Sequence, residues 1–200
     1  PDSRHIDEEG VLIDNFQLVD QGRLREKELQ ELFTTAPYPT RNFHHNLGDL
    51  KAQIAANEKG VQELRKMVDH FGLDVVLAYM KHVQDNAEET VRRVIQNLSD
   101  GEYEYEMDFG ARVKVAITVH PEMRSATVDF TGTSPQQNNN FNITHAVAVA
   151  AVLYTFRFMV DDDIPLNAGC LKPLNIVVPE DCMLRPKYPA AVVAGNVETS

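Results

Sequence analysis

The stretch DFTGTSPQQNNNFN, Asp129–Asn142, gathers a Thr-Gly-Thr turn and four asparagines between an alternating run and an apolar one. That order predicts a loop leading from a strand to a helix N-terminus. Unpaired N–H groups at a helix start attract anions. Gly132 permits a tight turn, Thr131, Thr133 and Ser134 offer hydroxyls, and Asn138, Asn139, Asn140 and Asn142 offer amides that both donate and accept. Such a wall suits a substrate rich in amides or carboxylates. The same residue types also make ordinary turns and caps. The loop has no Lys, and its spacing is not that of a phosphate loop. The residues alone leave both readings open.

Other groups that could do chemistry are scattered. Asn196, Glu198 and Thr199 follow Gly195 after an expected short strand, Ala190–Ala194. Polar groups at a strand end suit ligand contacts, and they also suit a plain turn. His145 stands beside the Asn-rich loop, either in a site or packed in the helix. His5, among Asp2, Asp7, Glu8 and Glu9, could bind a metal or move protons, or mark an acidic surface. His44 and His45 fall in an expected proline-flanked loop. His70 and His82 lie on polar helix faces, and His120 precedes a turn. Cys170 and Cys182 have no neighbouring His and no activating base, so they are expected to be structural thiols. There is no Ser-His-Asp signature, zinc motif or dinucleotide fingerprint.

The elements that position these groups follow from periodicity. Val11–Val19 predicts one or two short strands, and RLREKELQELF predicts a short helix. Pro37 and Pro39 make TTAPYPTRNFHHN a loop. Asn46, with Asp49 three residues on, is the expected cap of the next helix. Leu50, Ile54, Val61, Leu64 and Val68 share its face, and Gly72 ends it. A second helix carries Leu73, Val76, Met80, Val83, Ala87, Val91, Val94 and Leu98 on one stripe. Each helix is the nearest candidate to cover the other, as an antiparallel hairpin.

After Asp100-Gly101 the period falls to two. Tyr103, Tyr105, Met107 and Phe109 alternate with acids, Val113–Val119 alternate with Arg112, Lys114 and Thr118, and Ala126, Val128 and Phe130 alternate again. This predicts an antiparallel meander with one buried face and modest pairing between an acidic and a basic strand. Ile143–Val160 predicts a helix covered on most sides, capped by Asn142 or Thr144. DDDIPLNAGCLKP predicts a loop, LNIVV a strand. The fold class is α+β, divided as a mixed segment over 1–46, a helical hairpin over 47–99 and an α+β portion over 100–200.

The 200 residues are 43% apolar and carry a net charge of −11. Both halves are acidic, and no basic stripe exists to attract nucleic acid. No apolar run reaches the ~20 residues of a membrane span. Two cysteines make no disulfide framework, which suits the cytoplasm. The chain opens on PDSRH without Met and closes on AGNVETS; it reads as an internal piece of a longer protein.

GDLKAQIAANEKG, DFTGTSPQ, DDDIPLNAGCLKP and AAVVAGNVETS, in that order, closely resemble the hydantoinase B/oxoprolinase family across the chain. EEGVLIDNFQL and LRKMVDHFGLDVVLAYMKHVQDNAEE are most similar to its 5-oxoprolinase members. The resemblance implies part of an ATP-dependent cyclic amidohydrolase opening 5-oxo-L-proline to L-glutamate. Alternatives are N-methylhydantoin cleavage, an ATP-dependent ketone carboxylase subunit, or a purely structural, subunit-contact segment. It implies a hydantoinase A-type ATPase module as partner, fused or separate, and an oligomeric parent. ATP and a divalent metal are expected for the parent, with no metal held by these residues. Asp129, Thr131, Gly132 and Thr133 carry over from DFTGTSPQ, and Gly195, Asn196 and Glu198 from GNVETS. Beside them, Asn140 joins the expected substrate wall, and His145 joins Asp129 and Glu198 as the expected catalytic group, with Glu198 the candidate acid or base.

Overall fold

The computed structural model describes residues 2–161 and 164–200. Asp162 and Asp163, in the DDDIPLNAGCLKP stretch, lie outside the described residues.

The chain begins with a 3-10 turn, Ile6–Glu9, and a two-residue ribbon, β1 (Val19–Asp20) against β2 (Arg23–Leu24). Helix α1 is Glu26–Thr35, α2 is Phe43–Phe71 and α3 is Leu73–Ile95. Strands β3 (Gly101–Glu106), β4 (Arg112–His120), β5 (Ser125–Asp129) and β6 (Leu174–Val177) form one sheet in that order. The first three pair antiparallel and β6 joins β5 in parallel. Helix α4 (His145–Phe158) makes that crossover, and α5 (Gly195–Glu198) is a single terminal turn. The architecture is α+β, with a mixed sheet.

Several expectations shift. Val11–Leu18 is not a strand; the 3-10 turn and the short ribbon flank it. Helix α2 is capped four residues before Asn46, at Asn42, whose side chain accepts from the His45 N–H at 3.1 Å. His44 and His45 therefore sit in its first turn, not in a loop. Ala190–Ala194 forms only a single bridge, His5 to Ala190, because its N–H groups at 192 and 193 turn to a side chain instead of a ladder.

Gly72, at φ +84°, ends α2 and starts α3. The two apolar stripes cover one another only in part: Val76 of α3 is buried, while Val61 and Leu64 on α2 and Leu73, Leu77 and Met80 on α3 stay exposed. Only the far half of α3 enters the core, where Ala87, Val91 and Ile95 meet Val128 of β5 and Phe156 of α4. Burial of each large apolar side chain there contributes about 1.5–3 kcal/mol. Arg124 fixes that half of α3 to the hairpin between β4 and β5 by a paired contact to Glu89 at 2.9 Å. Arg92 adds bonds to the carbonyls of Met123 and Arg124.

Strand β3 is an edge strand exposed on both faces, so the meander's apolar side is not fully covered. Its acids do pair as expected, Arg112 reaching Glu104 and Glu106 at 3.1 Å each. Helix α4 buries one stripe, Ala148, Val152 and Phe156, and leaves Tyr154 and Phe158 in solvent. Its near-continuous apolarity suggested cover on most sides, and the sheet supplies cover on one.

Candidate functional site

Three stretches distant in sequence meet at one knot. Asn142, fully buried, is its centre: Nδ2 donates to the carbonyls of Gln137, Asn139 and Ala191 at 3.0, 2.9 and 3.0 Å, and Oδ1 accepts from the Gln137 N–H at 2.7 Å. One amide thus shapes the Asn-rich loop and binds it to the C-terminal stretch. The Gly195 N–H donates to the Asn140 carbonyl at 2.8 Å, and the Thr199 hydroxyl donates to the Phe141 carbonyl at 2.8 Å. Gly195 is required by packing: a Cβ there would lie 2.2 Å from the Asn142 carbonyl oxygen.

The N-terminal stretch closes the knot. The Asn140 amide donates to the Ser3 hydroxyl at 3.1 Å, and that hydroxyl donates to Glu9 at 2.9 Å. The Glu9 carboxylate also accepts the N–H groups of Val192 and Val193, each within 3.1 Å. Charge-assisted bonds of this kind contribute about 1.5–3 kcal/mol each. Nearby, the Ile6 N–H bonds the Pro189 carbonyl, and His5 Nδ1 lies 3.1 Å from an Asp7 oxygen. The Asp7 carboxylate raises the ionisation of the adjacent Tyr188 phenol above its usual range.

Two concavities border the knot. A small one, about 180 Å³, is lined by Asp2, Arg4 and Asn138–Phe141. A larger one, about 720 Å³, lies between the Glu8–Val11 stretch and the start of α2, and carries Arg41, Thr40 and His45. The acidic opening segment therefore links both: Glu9 lines the larger and anchors residues 192 and 193. Nothing in the sequence signals a pairing across 183 positions.

The expected site residues divide into two groups. Asn140 and Gly195 are brought into direct contact. Asn196 and Glu198 ride exposed on α5, and His145 is exposed at the first position of α4. Asp129, Thr131, Gly132 and Thr133 are held apart, against β4. The Thr133 hydroxyl accepts from the Lys114 N–H and donates to its carbonyl, both at 3.1 Å. Asp129 accepts from the Thr131 N–H at 2.8 Å. Hydrogen bonds from the Thr131 side chain, and then its backbone, hold the Asp129 carboxyl below the usual range. Its folded-state stabilisation is therefore present above the ordinary Asp range and is lost as pH falls through the lowered value. Replacing Thr131 by Val should move the midpoint of the Asp129 carboxyl upward in an NMR pH titration, with a smaller acid-side loss of stability that is complete at a higher pH. An unmoved titration would show that the hydroxyl does not reach the carboxylate in solution.

Among the described residues, no three His, Cys, Asp or Glu side chains gather into a set able to hold a metal ion. No described helix is long and apolar enough to cross a membrane. Cys170 and Cys182 are both buried free thiols, in separate core clusters.

The family model for hydantoinase B/oxoprolinase matches residues 1–200. The chain belongs to the hydantoinase B/oxoprolinase family. It is 40% identical over 224 aligned residues to 5-oxoprolinase 1 of Arabidopsis thaliana, and 38% identical over 210 to a 5-oxoprolinase of Dictyostelium discoideum. Both alignments cover 100% of this chain, but only 18% and 16% of those proteins. Among solved structures, an ATP-dependent caprolactamase from Pseudomonas jessenii superposes with a TM-score of 0.73 at 23% identity, covering 92% of this chain and 32% of that one. That likeness shows a shared fold over most of this chain.

Proposed function

We propose that this hydantoinase B-type chain is part of an ATP-dependent cyclic amidohydrolase that opens 5-oxo-L-proline to L-glutamate. The observation that carries the reading is similarity along the whole chain to proteins named 5-oxoprolinase. The polar knot supports it. A lactam resists hydrolysis because conjugation stabilises both its carbonyl and its nitrogen. Its opening develops charge on oxygen, which fixed amide and hydroxyl donors can steady.

In this reading Asn140, with the Gly195 turn, forms one wall, and Asn196 contacts substrate. Glu198 is the proton-transfer group, with His145 as a second candidate at the head of α4. Asp129 and Thr131–Thr133 form a further wall on the β4 side. In this reading ATP and a divalent metal serve the parent enzyme, and the hydantoinase A-type module supplies the ATP chemistry. The partner is a hydantoinase A-type ATPase module, fused or separate, and the setting is cytoplasmic.

The test uses the full polypeptide with its ATPase module. 5-Oxo-L-proline and ATP should yield glutamate, ADP and phosphate in step, and Glu198→Gln should cut turnover by about 10²–10⁴-fold. Hydantoin hydrolysis without glutamate release, or bicarbonate-dependent ketone consumption, would replace 5-oxoproline by another family substrate. Full turnover in Glu198→Gln would remove that residue from the chemistry.

A further inference from the structure

We propose that Glu9 is a positioning residue for the reaction: its carboxylate sets the α5 turn, and with it Asn196 and Glu198, where the substrate is handled. The inference rests on the reading that puts those two side chains at the chemistry. Ala190, Ala191 and Val192 are buried, yet their stretch pairs with no strand beyond the single bridge at Ala190. A buried backbone N–H needs an acceptor. In place of a neighbouring strand, the N–H groups of Val192 and Val193 take the Glu9 carboxylate, at 3.0–3.1 Å. The peptide unit between Val192 and Val193 is therefore held at both ends. Its N–H goes to Glu9, and its carbonyl accepts the Asn196 N–H at 3.1 Å. The first turn of α5 is built directly on the group that Glu9 fixes.

A second route runs from the same carboxylate to the same turn. Glu9 accepts the Ser3 hydroxyl at 2.9 Å, and Ser3 accepts the Asn140 amide at 3.1 Å. The Asn140 carbonyl in turn accepts the Gly195 N–H at 2.8 Å. The two routes close a ring of hydrogen bonds around the start of α5. Their chemistry demands a carboxylate. Oε1 takes the Ser3 hydroxyl and both N–H groups, and Oε2 shares the N–H of Val192. All of these neighbours are donors, so the position calls for acceptors alone, and an ionised Glu supplies only those. Its charge also strengthens each bond. Gln has the same shape but carries an NH2 group, which would face donors. Glu9 need not touch the substrate: it acts through the backbone of α5.

The test uses the full polypeptide with its ATPase module. Glu9→Gln should lower kcat for 5-oxo-L-proline about 100-fold, because a shift of roughly 1 Å at reacting groups costs about that much. Hydrogen exchange at residues 195–199 should quicken with it. Glu8→Gln, the same change on the exposed neighbouring side chain, should leave both readouts unchanged. The deciding arm is a double variant. A residue that acts through α5 has little left to disturb once the Glu198 carboxylate is gone. Glu9→Gln added to Glu198→Gln should then cost less than tenfold further. A further loss of tenfold or more would make the role one of general stability and overturn the proposal. So would turnover in Glu9→Gln within threefold of wild type, or unchanged exchange at residues 195–199. Should Glu9→Gln not fold, Glu9→Asp, which keeps the charge but draws it back by one methylene, carries the same comparisons. A wild-type enzyme inert towards 5-oxo-L-proline would strike the proposed function instead, and the exchange measurement would still decide whether Glu9 holds the turn.

Discussion

Asn142→Ala should lower the unfolding free energy by about 3 kcal/mol, a larger loss than any exposed-loop substitution should give. The wild-type amide is wholly buried and touches four backbone groups. Nδ2 has only two hydrogens for three carbonyls, so at least one is shared. Truncation leaves the Gln137 N–H and three carbonyl oxygens with no side-chain partner, each costing about 1–3 kcal/mol unless water enters. Entry of one water recovers part of that and sets the estimate near the lower end of the sum. Urea unfolding would measure it, and a loss below about 1 kcal/mol would mean the loop holds its shape without the amide. Asn142→Asp sharpens the test. Its carboxylate would face three carbonyl oxygens, so its folded-state ionisation is pushed up. Destabilisation should then grow as pH rises above about 4, where the unfolded carboxyl ionises, and ease below it. A deficit independent of pH would show that the residue's shape, not its donors, matters.

Asn142 also shows what a sequence conceals. Its type suggested a helix cap, and position supported that, yet the cap of α4 is Thr144 and the amide is spent on loop backbone. Local rules carried far where local forces decide. Gly72 stops a helix because it alone takes φ +84° cheaply, and Asp100-Gly101 marks the change of period because strands alternate and helices do not. Those rules located α3, the meander and α4 within a few residues. They failed where a distant partner decides. The 190–194 stretch reads as a strand by composition, but Glu9 draws its N–H groups to a carboxylate. The stripe of α2 reads as buried, but periodicity records only that a face is apolar and not what covers it. DFTG reads as a turn or as a cradle. The structure shows the turn contacts, with Asp129 on Thr131 and Thr133 on Lys114, while the cradle needs a ligand to appear.

Gly195→Ala should separate stability from turnover more sharply than any other substitution at the knot. A Cβ on residue 195 would stand 2.2 Å from the Asn142 oxygen and 2.5 Å from the Phe141 carbonyl carbon and oxygen. These are backbone atoms in a loop that Asn142 pins, so no rotamer change relieves the clash. The α5 turn must lift away, losing the bond from Gly195 N–H to Asn140 and the bond from Thr199 to Phe141. Overpacking of this kind costs about 1–3 kcal/mol, which a 200-residue chain can survive folded. Asn196 and Glu198 would move with the turn by roughly 1 Å or more, and a displacement of that size at reacting groups costs about 10²-fold in rate. Asn196→Ala, by contrast, removes an exposed amide without moving the backbone and should leave stability unchanged. Two measurements on Gly195→Ala, amide exchange at residues 195–199 and turnover of the full enzyme, decide between outcomes. Fast exchange with lost turnover places substrate at the turn. Fast exchange with turnover intact within a few-fold takes α5 out of the site, and protected amides would mean that the close approach of Gly195 to Asn142 is not held in solution.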